Sequence, residues 1–178
     1  ILDGLVGSEM CIRDRANCYV DAINEIDLDF DCIYGPAYKG IFLGSMIATV
    51  LSQKGKNYPL SFNRKEVKDH GEGGNIIGPN PEGNVMIVDD VLSAGTAARE
   101  SIELIKNIDA NPKIFVVGLN RQEKGSGNLS ASDELQNDFG ITVKSIVDLN
   151  TLISFSETNA YYQKFLDELK NYREQWGA

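Results

Sequence analysis

The stretch NVMIVDDVLSAGTAARES (84–101) decides the fold. Its first part, NVMIVDD (84–90), is a continuous apolar run ending in two aspartates, Asp89 and Asp90. A strand that is apolar without alternation is buried on both faces, and such strands belong to parallel sheets covered by helices. A short turn, Val91 to Ala94, leads through Gly95 and Thr96 into an amphipathic helix over 95–108. Strand, turn and helix in that order make one half of a strand–helix–strand unit.

The same alternation extends in both directions. Upstream, residues 16–26 suit a short helix, with Tyr19, Ile23 and Ile26 at helical spacing. DCIYG (31–35) is a short buried strand ending at a glycine, 39–54 is a helix stopped by Gly55, and YPLSF (58–62) is strand-like. Downstream, KIFVVGLN (113–120) is a strand, RQEKGSG (121–127) a polar loop, 130–139 a helix, ITVKSIV (141–147) a strand and 158–175 a terminal helix. The fold class is therefore α/β, a mostly parallel central sheet flanked by helices. The segment NRKEVKDHGEGGNIIGPNPEG (63–83) stands apart, with one histidine, five glycines and two prolines and no sustained apolar period. It reads as a long loop, and long loops inside compact domains usually carry function or disorder.

Composition narrows the classes. The chain has 178 residues, 42% hydrophobic and 24% charged, which suits one soluble globular domain. No apolar run approaches the ~18 residues a membrane helix needs. Cys11, Cys18 and Cys32 are an odd, unclustered set, so neither a disulfide framework nor a zinc site is indicated. No secretory signal is present in the first residues, and a reducing cytoplasm is the expected compartment. The formal net charge of −9 argues against bulk nucleic-acid or anionic-membrane binding. It does not exclude an anionic small molecule. Residues 32–88 carry 6 basic and 4 acidic side chains, and the acid excess sits towards the two ends.

The 84–101 stretch also carries chemistry. In open parallel sheets, ligands sit at the carboxyl ends of strands. A glycine-containing loop opening a helix offers backbone N–H groups and the positive dipole end to a phosphate, and Ser93 and Thr96 add hydroxyls. Two adjacent carboxylates accept hydrogen bonds from vicinal hydroxyls. Two acids followed by a phosphate loop therefore read a ribose 5-phosphate. The plainer alternative is a capped helix with Asp89 and Asp90 as solvated turn residues. The string fits neither G-x-x-x-x-G-K-[ST] nor G-x-G-x-x-G.

VMIVDDVLSAGTA (85–97) resembles the 5-phosphoribosyl-1-diphosphate (PRPP) motif of the type I phosphoribosyltransferases. GPAYKG (35–40), FNRKEVKDHGEGG (62–74) and LNRQEKG (119–125) resemble one branch of that family, the orotate phosphoribosyltransferases. The resemblance runs from about Ala16 to the C-terminus. It implies the type I phosphoribosyltransferase fold with a long mobile active-site loop. It also implies Mg²⁺-dependent transfer of ribose 5-phosphate from PRPP to N1 of orotate, giving orotidine 5′-monophosphate and pyrophosphate, a step of pyrimidine (UMP) biosynthesis. An oxocarbenium-like transition state needs charge stabilisation on the departing pyrophosphate more than a strong base.

The resemblance assigns roles residue by residue. Asp89 and Asp90 hold the ribose hydroxyls. Mg²⁺ lies near them, bound mainly through PRPP and waters with no direct protein ligand. The run from Val91 and Leu92 through Ser93, Ala94, Gly95, Thr96 and Ala97 meets PRPP, its 93–97 part cradling the 5′-phosphate. Tyr38 and Lys39 meet PRPP, the lysine at the pyrophosphate. A cation at a helix start is otherwise disfavoured by the dipole. Arg64, Lys65, Lys68 and His70 belong to the loop that closes over the neighbouring subunit's site, with Lys68 and His70 at the pyrophosphate and Gly71, Gly73 and Gly74 giving hinge freedom. Lys68 joins Asp89 and Asp90 as a catalytic residue. Arg121 holds the orotate carboxylate, with Ser93 beside the base; the alternative for Arg121 is a surface arginine paired with Glu123. The implied partners are PRPP, orotate and a second copy of the chain in a homodimer.

The start of the chain departs from the family. Residues 1–15 (ILDGLVGSEMCIRDR) match no element of the resemblance and are expected to be a non-native leader to a single domain over 16–178. The family's N-terminal lysine and aromatic pair are not found in residues 1–30, so weak activity is expected of the chain as written. Two other functions fit the fold: a phosphoribosyltransferase for another base, and a non-catalytic PRPP-binding regulator. The FNRKE and LNRQEKG strings argue against the first, and the lack of a basic surface or added DNA-binding segment argues against the second.

Overall fold

The computed structural model describes residues 9–64 and 75–178, with side-chain surroundings from Cys11 onward. Its elements are α1 (Glu9–Asn24), β1 (Cys32–Tyr34), α2 (Lys39–Gln53), β2 (Leu60–Asn63), β3 (Ile76–Ile77), β4 (Asn84–Leu92), α3 (Thr96–Lys106), β5 (Asn111–Asn120), α4 (Ala131–Phe139), β6 (Thr142–Asp148), α5 (Leu149–Thr158), a 3₁₀ turn (Gln163–Phe165) and α6 (Leu166–Trp176).

The six strands form one sheet in the order β3-β2-β1-β4-β5-β6. Only β3 is antiparallel, pairing through Phe62–Ile77 and Asn63–Ile76. The α/β class and the mostly parallel sheet are as the apolar runs required. The alternation of β4 explains why its sequence is apolar throughout. Val85 and Ile87 pack with Tyr34, Phe115, Val117 and the inner faces of α3 and α4. Met86 and Val88 pack with Ile33, Ile114, Val116 and the inner faces of α1 and α2. All four β4 residues are fully buried. Each contributes on the order of 1.5–3 kcal/mol relative to exposure.

Three features differ from the sequence-based expectation. The helix expected to begin at Ala16 begins at Glu9, and its buried stripe is Ala16, Tyr19, Val20 and Ile23. Of the expected leader, residues 1–8 lie outside the described residues and 9–15 belong to α1. The long 63–83 loop contains β3, whose two isoleucines cover the edge of β2. The terminal helix expected over 158–175 is shorter, a 3₁₀ turn followed by α6, and α5 over Leu149–Thr158, ending at extended Asn159, is not among the expected elements. Asp148 caps α5, its carboxylate accepting from Thr151 N at 2.7 Å. No described helix is long and apolar enough to cross a membrane.

Candidate active site

Sheet order locates the site. From β1 the chain runs to β2 on one side, and then to β4, β5 and β6 on the other. Connections therefore diverge between the carboxyl ends of β1 and β4, and in open α/β sheets a ligand crevice opens at that switch point. The turn after β1 is GPAY, leading to Lys39 at the start of α2; β4 runs two residues past Asp90 and is followed by the turn SAG (93–95).

The first turn is compact because Gly35 and Gly40 have no side chain. A Cβ on Gly40 would meet the Gly35 carbonyl carbon and the Val88 carbonyl oxygen, both at 2.8 Å. The Ala37 N–H donates to Asn63 Oδ1 at 2.8 Å, tying this turn to the end of β2. Lys39 is thereby held over β4, and its Nζ donates to Asp90 Oδ2 at 2.6 Å. The pair is exposed, the lysine 71% and the aspartate 35%. Tyr38 precedes Lys39 and is exposed as well.

The two aspartates differ. By the two-residue period of the strand, Asp90 follows the face of Met86 and Val88, where α2 and Lys39 lie. Asp89 follows the opposite face and is more enclosed. Burial and the neighbouring Asp90 charge push its carboxyl up to about 6, against an Asp90 N–H bond that favours the ionised form. That N–H donates to Asp89 Oδ1 at 2.8 Å. Tyr19 of α1 supports the backbone, donating to the Asp89 carbonyl at 2.9 Å. The hydroxyl fits because β5 presents Gly118 there; a Cβ would lie 2.8 Å from it.

After β4, Leu92 turns its side chain into the core, so it offers the site only its backbone. Val91 and Ser93 are half-buried, and Ala94, Thr96 and Ala97 are exposed. Gly95 takes φ +87, left-handed, and opens α3 with no side-chain cap and no acid in the first turn. The start of α3 is thus a helix N-terminus suited to an anion.

The third contributor is the loop after β5. Arg121 N donates to the Leu92 carbonyl at 2.9 Å, bringing this loop beside the end of β4. Arg121 is 45% exposed and its Nη1 lies 3.5 Å from Glu123 Oε1, beyond hydrogen-bond length. The pairing with Glu123 is therefore present but long, and the Tyr172 hydroxyl also lies beside the guanidinium.

Asp89, Asp90, Lys39, the α3 N-terminus and Arg121 are thus brought to one end of the sheet. Arg64 is exposed at the end of β2, its N–H bonded to the Asn75 carbonyl at 2.8 Å. Lys65, Lys68, His70 and the glycines Gly71, Gly73 and Gly74 lie outside the described residues.

Sequence reasoning missed the supports. Tyr19 and Gly118 carry no motif signal, and Asn63, inside FNRKEVKDHGEGG, carried no assigned role. Buried Glu134 on α4 accepts from Ser126 N at 2.8 Å, Gly127 N at 2.6 Å and the Arg99 guanidinium. Those donors, the Ser126 N–H first among them, hold its carboxyl below the usual range. It joins α3 to the 121–127 loop. Spacing could have flagged only Arg99, three residues after Thr96.

Among the described residues, no group of three or more His, Cys, Asp or Glu side chains could hold a metal ion. Asp89 and Asp90 are hard-oxygen acceptors that fit the waters of a Mg²⁺ carried by substrate oxygens, with no direct protein ligand.

The chain matches the family described as Phosphoribosyl transferase domain over residues 13–138. It is 47% identical over 176 residues to the orotate phosphoribosyltransferase of Actinobacillus succinogenes, and 44% over 175 residues to that of Marinobacter nauticus. Each alignment covers 98% of this chain and 82% of the relative. The crystal structure of the Francisella tularensis orotate phosphoribosyltransferase superposes with a TM-score of 0.81 at 32% identity, covering 98% of this chain and 84% of that one.

Proposed function

From the orotate phosphoribosyltransferase family, to which the chain belongs, we propose that it transfers ribose 5-phosphate from PRPP to orotate and so serves UMP synthesis. The observation that carries this reading is the meeting of Lys39, Asp90 and Arg121 at the switch point, beside a helix N-terminus with no acid of its own.

The residues divide the work by chemistry. The N–H groups and hydroxyls of 93–97 bind the 5′-phosphate at the positive end of α3. Asp89 and Asp90 accept from the ribose 2′- and 3′-hydroxyls. When the hydroxyls reach Asp90, Lys39 is released from its carboxylate and turns to the pyrophosphate. Arg121 receives the orotate carboxylate, which distinguishes orotate from uracil. The C1′–O bond breaks with its electrons leaving on pyrophosphate, the C1′–N1 bond forms, and N1 gives up its proton. Asp89 and Asp90 would hold Mg²⁺ through its waters, and the ion would neutralise charge on the pyrophosphate. Lys68 and His70, with Arg64 and Lys65, close over the pyrophosphate from a second copy of the chain and exclude water.

Pyrophosphate release from PRPP and Mg²⁺, assayed with orotate, uracil, adenine and no base, tests the reading. Release that requires orotate supports it. Release with another base alone, or none with any base, contradicts it.

A further inference from the structure

The loop that carries Arg121 is clasped by the C-terminal helix. The Lys124 N–H donates to the Trp176 carbonyl at 2.9 Å, and the Ala178 N–H to the Gln122 carbonyl at 3.2 Å. Glu123 pairs with Gly177 in an antiparallel bridge. Asn150 of α5 joins the same cluster, its N–H donating to Gln122 Oε1 at 3.0 Å and its Oδ1 accepting from Arg173 at 2.9 Å.

Within this clasp, side chains as well as backbone converge on the guanidinium. Tyr172 of α6 donates its hydroxyl to Glu123 Oε1, the oxygen that faces Arg121 Nη1. The Glu123 side chain is 15% exposed and Arg121 45% exposed, so the carboxylate is the more enclosed of the two. Arg121 also lies beside the Tyr172 hydroxyl, and its charge reaches Lys39 across the crevice. Partial burial and the Glu123 bond push the Tyr172 hydroxyl above its ordinary range. It is therefore a neutral donor at any working pH. The carboxylate holds one edge of Arg121 at one oxygen, and the tyrosine fixes where that oxygen is. A carboxylate left to rotate would take the guanidinium bidentately and compete with a substrate carboxylate for the same fork.

We propose that Tyr172, through Glu123 and beside Arg121, is a positioning residue that fixes the Arg121 guanidinium at the crevice and thereby sets affinity for the carboxylate of the base substrate. The proposal rests on the reading that Arg121 receives orotate.

The test is steady-state kinetics of Tyr172→Phe, Glu123→Gln, the double variant and Arg121→Ala, with Lys170→Ala as the control. Lys170 lies on α6 and pairs with Glu157 at 2.8 Å, away from the relay. Tyr172→Phe is expected to raise the orotate KM roughly three- to tenfold, the worth of one hydrogen bond, with the PRPP KM unchanged. The double variant should be no worse than the poorer single one, because both act on one chain of contacts. Lys170→Ala should leave the orotate KM at the parent value. If Arg121→Ala raises the orotate KM and Tyr172→Phe does not, the proposal alone fails. A Tyr172→Phe that raises both KM values equally, or a Lys170→Ala that matches it, reduces Tyr172 to general support of α6 and overturns the proposal. If Arg121→Ala leaves the orotate KM unchanged, the reading of Arg121 fails and takes the proposal with it.

Discussion

Lys39 and Asp90 face each other across the switch point of the sheet, Nζ to Oδ2 at 2.6 Å. The start of α2 supplies the cation and the end of β4 the anion, so the ion pair spans the crevice a ligand would enter. An exposed pair of this kind contributes little to folding. Lys39→Met is therefore expected to leave Tm nearly unchanged while raising the PRPP KM by about tenfold or more, the cost of one charge-assisted contact to a phosphate oxygen. A large fall in Tm with an unchanged PRPP KM would make the pair structural instead.

Asp89 gives a pH dependence with a definite sign. Its native carboxyl is pushed up to about 6 from 3.8, chiefly by burial. Between these values the folded protein holds a proton that the unfolded chain has lost. The stabilisation from that proton is complete below 3.8 and lost as pH rises through about 6. Ribose hydroxyls and a nearby Mg²⁺ favour the ionised form, so PRPP·Mg²⁺ should displace the proton. Its affinity should climb from pH 5 to 6, by up to about tenfold per unit, and level off above. Phosphate groups also titrate in this range, so the comparison is with Asp89→Asn, which should lose the Asp89 contribution and gain Tm relative to the parent more at pH 7.5 than at pH 5. Identical pH profiles for the parent and Asp89→Asn would rule out Asp89 as the titrating group.

Gly118 and Tyr19 should behave as one unit. A Cβ at position 118 would sit 2.8 Å from the Tyr19 hydroxyl and 3.0 Å from the Asp90 carbonyl. Gly118→Ala should cost roughly 1–3 kcal/mol by overpacking. Tyr19→Phe removes the hydroxyl that meets the new methyl, so the double variant should lose less than the two singles together. Chemical denaturation measures all three, and strict additivity would show that the two sites do not share the space.

Sharing of the active site between subunits is open to complementation. Arg121→Ala and Lys68→Ala chains, each nearly inactive alone, should recover part of the activity when co-refolded, because a hybrid holds one intact site. No recovery in verified hybrids would place the loop and its site in the same chain.

The sheet was legible because β4 and β5 are apolar on both faces, and only a parallel, helix-covered strand needs that. The strand–turn–helix passage into α3 was legible because Gly95, Thr96 and the preceding acids sit close together in sequence. What remained hidden depends on residues far apart in the chain. Tyr19 meets Asp89 from 70 positions away, and Tyr172 meets Glu123 from 49. A lone tyrosine at helical spacing reads as core, and nothing local shows that its hydroxyl supports a strand end. The late start of α6 was missed because the aromatic run Tyr161-Tyr162 and Phe165 fits a helical stripe, although the Phe155 and Tyr162 rings meet at a tilt across the turn, centroids 5.4 Å apart.

Base selection by Arg121 is the centre of the account, and pyrophosphate release from PRPP and Mg²⁺ with orotate or uracil, in the parent and in Arg121→Ala, measures it directly. The parent should turn over orotate at least about a hundredfold faster than uracil, since an arginine left without its carboxylate costs binding. Arg121→Ala should lose most of the orotate rate and most of that preference. Equal rates for the two bases in the parent, or an undiminished orotate preference in Arg121→Ala, would contradict it.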